Sequence, residues 1–168
     1  MSKPINSGLY RTWLTERRSL TRRLQLASKK FEVEPLRFYH GRALPEEAPV
    51  LKLRPWQKAM IREVYLRCHD RPVVFAHSVL PCHSLRGHWQ ILSRLGSKPL
   101  GAALFSDPRV KRTPLAYKKL NTGHALYRKA VEGTATVPPE LWARRSVFYL
   151  CNSAILVTEV FLPRVLTL

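Results

Sequence analysis

The chain has 168 residues, 45% of them hydrophobic and 24% charged, a composition that supports one folded domain with its own core and excludes a disordered basic tail. No apolar run approaches the ~20 residues that span a bilayer, and the opening MSKPINSGLYRTW lacks the apolar centre of a secretory signal. The formal net charge of +18 favours anionic partners, while Cys68, Cys82 and Cys151, odd in number and without CxxC spacing, argue against a disulfide framework or zinc site and place the protein in the reducing cytoplasm.

Taken in order, Ser7 reads as the cap of a helix running to Arg17, with Leu9, Trp13 and Leu14 as its apolar stripe. Ser19 reads as the cap of a second short helix, with Leu20, Leu24 and Ala27 inward and Arg22, Arg23, Lys29 and Lys30 outward. The two form a helical hairpin over residues 7–30. Phe31–His40 alternates loosely around Pro35, as an edge strand with a bulge does. Gly41–Pro55 holds three prolines and the adjacent acids Glu46 and Glu47; it reads as a loop long enough to strap across a site.

In Ala59–Cys68 (AMIREVYLRC) one face is Met60, Arg62, Val64, Leu66, apolar except for Arg62. An arginine aimed at a core keeps its charge, so it needs an anionic partner, either a carboxylate of the chain or one of a ligand. His69-Asp70 turns the chain and Arg71–Pro81 returns, which places His77 opposite Arg62 on the same face. Ser84–Leu95 has helical spacing, with Gly96 as its stop. Gly96–Phe105 reads as a turn segment in which glycine lets backbone amides approach a ligand. Asp107–Leu120 and Gly123–Gly133 read as strands.

Leu141–Pro163 reads as a β-hairpin around Cys151–Ala154. Its second arm is apolar on both faces apart from Glu159, as in a strand covered on both sides. A loop centred on Asn152-Ser153 puts Glu159 opposite Ser146, with Arg144 diagonal on the same face. Glu159 is then either half of an ion pair that only fixes register or a polar group aimed into a small-molecule pocket. The sum of these elements is an α+β domain with an antiparallel sheet over residues 31–163. The basic clusters Arg17–Lys30 and Lys111–Lys129 show no zinc-finger, basic-zipper or RNP-like pattern, so specific nucleic-acid recognition is not expected.

The segments SLTRRL, IREVYLRC, RPVVFAHSVLP, LGSKPLGAALF, LWARRS and LVTEVFLP, in this order over nearly the whole chain, resemble the chorismate lyase (chorismate pyruvate-lyase) family. The resemblance implies a six-stranded antiparallel sheet whose helices cover a buried ligand site. It implies conversion of chorismate to 4-hydroxybenzoate and pyruvate, early in ubiquinone biosynthesis, without metal or organic cofactor. A buried aromatic product gripped by charges should leave slowly, so product inhibition is expected. The resemblance places substrate contacts on Leu20 and Leu100 through their backbone, on Arg62 for the ring carboxylate and on Glu159 for the ring hydroxyl. His77, Arg144 and Arg145 are the candidates for the second carboxylate, although the family usually carries arginine where this chain has His77. The partners implied are substrate and product, with a monomeric protein and, at most, transient contact with a membrane surface. The alternative is a non-catalytic sensor of aromatic acids, because effector domains of some transcription regulators share this fold; against it, no DNA-binding domain precedes the sheet.

Overall fold

Two long hairpins, whose apolar strands must be covered on both sides, form the centre of the computed structural model, which describes residues 4, 6–135 and 137–168. Residues 1–3 and 5, part of the stretch read as lacking a signal, lie outside the described residues. The strands are β1 (Phe31–Arg42), β2 (Lys58–Cys68), β3 (Arg71–Pro81), β4 (Lys111–Arg112), β5 (Ala116–Asn121), β6 (Glu140–Leu150) and β7 (Ser153–Phe161). They form one antiparallel sheet in the order β1-β2-β3-β7-β6-β4, with β5 also paired to β6. Seven strands therefore stand where six were expected. The difference lies at the edge, where β4 and β5 follow one another along β6, interrupted around Pro114. Thr113 bridges the gap, its N–H donating to the Val147 carbonyl and its Oγ1 accepting from the Val147 N–H.

The helices depart further from the sequence reading. Ser7 donates its hydroxyl to the Pro4 carbonyl and caps nothing; a 3₁₀ turn at Gly8–Tyr10 leads into the single turn α1 (Arg11–Leu14). Ser19 does cap α2 (Leu20–Ala27), accepting from the Arg22 N–H. The expected helix over Ser84–Leu95 is α3 (Cys82–Arg86) followed by a 3₁₀ turn at Gln90–Arg94. The presumed turn before Phe105 is instead helix α4 (Leu100–Ser106), which opens directly after Pro99. Gly123–Gly133, read as a strand, holds helix α5 (Ala125–Val131), capped by His124 and burying Leu126, Tyr127 and Ala130 at helical spacing.

Both sheet faces are buried. On the back face, Tyr65, Phe75, Leu141 and Val160 pack with α5, while Val79, Val147 and Leu156 pack with Leu51 of the 41–55 strap. The front face carries two apolar clusters. One joins Val64, Leu66, Val74 and Phe161 to Trp13, Leu14, Leu20 and Leu24; the other joins Leu80, Ile155, Val157 and Phe148 to Trp89, Leu92 and Leu104.

The registers correct two expectations. A bulge between Leu66 and Arg67 pairs Leu66 with Val74 and Arg67 with Pro72, so Arg62 faces Ser78 and His77 faces Glu63. One extra residue turns a side chain to the other face, so His77 leaves the Arg62 face. In the β6–β7 hairpin the turn is Cys151-Asn152, with Leu150 paired to Ser153. Glu159 therefore lies directly opposite Arg144 and not Ser146. That slip is two residues, so the face is kept.

Candidate active site

Two transverse rows of side chains floor a cavity between the two front-face clusters. The first row runs Arg62–Ser78–Val157–Ser146 across β2, β3, β7 and β6; the second runs Val64–Ala76–Glu159–Arg144. Leu20 and Thr21 of α2 and Leu100, Gly101 and Leu104 of α4 form the roof. A Cβ at Gly101 would lie 2.9 Å from Thr21 Oγ1, so glycine there lets the starts of α2 and α4 meet. The first-turn amides of a helix have no intrahelical acceptor, and Pro99 provides no side-chain cap for α4. Leu20 and Leu100, the first residues of the two roof helices, both line the cavity.

Arg62 is 7% exposed. Its Nη2 donates to the carbonyls of Gly96 and Lys98, both at 3.1 Å. Among the described residues it pairs with no carboxylate. Burial pulls its pKa below the ordinary arginine value, the mark of a charge without a matching anion.

Glu159 accepts from Arg144 Nε at 2.5 Å. Arg144 is 1% exposed and its Nη1 donates to the carbonyls of Trp13, Leu14 and Glu16, the end of α1 and the residues just beyond. This ion pair fixes register, as one of the two sequence readings had it. It also sits on the cavity wall, as the other reading had it.

The cavity thus gathers Leu20, Arg62, Leu100, Arg144 and Glu159. It excludes two of the sequence candidates. His77 is buried on the back face, its Nδ1 2.9 Å from Glu63 Oε1 and its Nε2 3.0 Å from Glu47 Oε1. Arg145 pairs with Ala116 and Thr158 on that same face and reaches the Glu46 carbonyl. Neither lines the front cavity. Two arginines that the sequence reading missed do: Arg112 of β4, and Arg18 at the exposed rim. Arg112 lies in a basic stretch, and only the pairing of β4 with Phe148 of β6 singles it out.

The back-face network is a separate feature. Glu63 is fully buried and accepts from His77, from Lys129 Nζ at 2.6 Å and from Arg37 Nη1 at 2.9 Å. Burial alone would raise its pKa, but these three donors hold it down at about 2. Burial likewise pulls the His77 imidazolium down, and Glu47 and Glu63 outweigh it, so its pKa lies above the ordinary value.

The front cavity encloses about 40 Å³, room for a few waters at most. A six-membered-ring ligand needs more room than that, so the cavity wall must give to admit one. A groove of about 770 Å³ beyond Val33 and Pro99 is larger but open, and its Arg67 is already paired with Glu34 at 2.6 Å.

A buried, unpaired arginine and an oriented carboxylate thus share the wall of one cavity, on an antiparallel sheet roofed by helices, an arrangement whose chemistry suits a small anion bearing a hydrogen-bonding group. The family described as chorismate lyase matches residues 4–167, and the chain belongs to it. A protein named probable chorismate pyruvate-lyase from Methylobacillus flagellatus is 49% identical over 168 residues, covering 100% of this chain and 94% of that one. Its counterpart in Nitrosomonas europaea is 50% identical over 153 residues, covering 91% and 86%. Among solved structures, the C-terminal domain of the histidine utilization repressor of Pseudomonas syringae matches with a TM-score of 0.60 at 12% identity, covering 80% of this chain and 92% of that one. A GntR-family transcriptional regulator from Bacillus cereus matches with 0.58 at 14%, covering 80% and 92%. At such identities the likeness concerns the fold alone.

Proposed function

We propose that the protein is a chorismate pyruvate-lyase, releasing 4-hydroxybenzoate and pyruvate. The observation that carries this reading is Arg62, a buried guanidinium without a carboxylate partner, on the same floor as Glu159. From strand spacing and rise, their Cα atoms lie roughly 12 Å apart. That span, shortened by two side chains, suits a ring with a carboxylate at one end and a hydroxyl para to it.

The reaction is an elimination across two neighbouring ring carbons. The C3–O bond to the enolpyruvyl group breaks, and its electrons leave with the oxygen. The C4–H bond breaks, and its electrons become the ring double bond that completes aromaticity. The hydrogen, as a proton, ends on the enolpyruvyl methylene, which gives pyruvate. The change is redox-neutral and its driving force lies in the ring. The protein's task is to hold one conformer, neutralise charge and exclude water. Arg62 holds the ring carboxylate. The Leu20 and Leu100 backbones close over the ring. Glu159, held by Arg144, accepts from the C4 hydroxyl and polarises the carbon that loses hydrogen.

The test is to mix the purified protein with chorismate and follow both products. Equimolar 4-hydroxybenzoate and pyruvate support the lyase. Saturable 4-hydroxybenzoate binding without turnover supports a non-catalytic sensor of the same fold.

A further inference from the structure

The charges on the cavity wall do not balance. Arg62, Arg112 and Arg144 line it from within, and Glu159 is the one carboxylate among its described lining residues. Glu159 cancels Arg144. Neither Arg62 nor Arg112 forms an ion pair with any described Asp or Glu. Arg18, also without an ion pair among the described residues, lies at the exposed rim, where solvent screens its charge. Of the guanidinium groups inside the cavity two are therefore unmatched, the number a dicarboxylate supplies. Arg62 accounts for one.

Arg112 is built to present the other. Its Nε donates to Ser146 Oγ at 2.7 Å and its Nη1 to the Arg17 carbonyl at 2.9 Å. Its guanidinium lies 4.9 Å from the Phe148 ring centre and 5.7 Å from that of Phe105. These contacts fix the plane of the group and leave Nη2 without a protein partner among the described residues. Ser146 closes the transverse row that Arg62 begins, three strands away, about 14 Å between Cα atoms. The two free arginines thus face each other across the floor. Ser146 is also two residues from Arg144 on one strand face, at the Glu159 end. Burial lowers the pKa of Arg112, and Glu159 is the largest charge acting against that fall.

We infer that Arg112 binds the enolpyruvyl carboxylate of chorismate and so selects the dianion over simple aromatic acids. The inference rests on the chorismate reading above. The enolpyruvyl ether sits on the ring carbon beside the hydroxyl-bearing one, so its carboxylate lies at the Glu159 end, away from Arg62. Arg144 keeps a buried Nη2 without a partner, but Glu159 already cancels its charge and its Nη1 is committed to the end of α1, so it adds no unmatched charge to the cavity. His77 and Arg145 are on the other face.

The product separates the two arginines, because 4-hydroxybenzoate keeps only the ring carboxylate. In Arg112→Gln, kcat/KM for chorismate falls about 100-fold, as expected when one partner of a buried charge pair is removed. The Kd for 4-hydroxybenzoate stays near wild type and shows the site to be folded. Arg112→Lys recovers part of the loss in KM. Inhibition by added pyruvate weakens in Arg112→Gln. If kcat/KM is unchanged, or if substrate and product affinity fall together, Arg112 holds only the roof or nothing and the inference is overturned. If the wild-type protein binds 4-hydroxybenzoate but does not turn over chorismate, the lyase reading falls first and takes this inference with it.

Discussion

Arg144 holds Glu159 with its Nε and the end of α1 with its Nη1, so one guanidinium orients the site carboxylate and pins the N-terminal segment to the sheet. A residue with both duties is costly to remove. Arg144→Met leaves Glu159 without its cation and three carbonyls without their donor; a loss of about 3–5 kcal/mol in unfolding free energy is expected. Urea denaturation measures it, and a loss below about 1 kcal/mol would show that the pair carries little.

Glu159→Gln keeps the shape of the pair and removes its charge. The Arg144 contact survives as a neutral-acceptor bond, but the buried guanidinium loses its counter-charge, so stability falls as well. Turnover falls because a neutral amide accepts the C4 hydroxyl less strongly. Steady-state kinetics at a temperature well below the variant's melting transition separates this from unfolding. Undiminished kcat would remove Glu159 from the chemistry.

The back face governs pH behaviour. Glu63 has its pKa lowered from the ordinary 4.5 to about 2, so the stability it contributes is complete above pH 4.5 and is lost as pH falls through the window toward 2. His77 has its pKa raised above 6.5, so its contribution is complete below pH 6.5 and is lost as pH rises through the raised value. Melting temperature should therefore decline in the wild-type protein as pH rises from 6.5 through the raised His77 value. In His77→Gln that decline should flatten. A parallel decline in the variant would rule out His77 as its source.

Gly101 sets how tightly the roof closes. Gly101→Ala puts a methyl group 2.9 Å from Thr21 Oγ1, so either that hydroxyl turns away or α4 is pushed from α2. A cavity of about 40 Å³ has to open for any aromatic ligand to pass, so release of the buried product should be slow and 4-hydroxybenzoate should inhibit. Gly101→Ala should raise the inhibition constant for 4-hydroxybenzoate. An unchanged initial rate on adding product to the wild-type protein would contradict slow release.

The two misplaced charges, Arg62 and Glu159, were legible because each interrupts an apolar strand face, a local signal of period two. Their neighbours were not. The Leu66/Arg67 bulge, invisible in sequence, moved His77 from the site to the opposite face. A turn at Cys151-Asn152, placed one residue earlier than read, brought Arg144 straight across from Glu159. Arg112 reaches the site only through the long-range pairing of β4 with β6. In Gly123–Gly133, apolar spacing compatible with either period was read as a strand, and packing of Leu126, Tyr127 and Ala130 on the sheet decides for helix.

The central claim is that Arg62 holds the ring carboxylate of chorismate. The most direct measurement is kcat/KM for chorismate together with Kd for 4-hydroxybenzoate in Arg62→Ala beside the wild-type protein. The account predicts that both collapse, kcat/KM by about 100-fold or more, because substrate and product share that carboxylate. Near-native turnover in Arg62→Ala would contradict it.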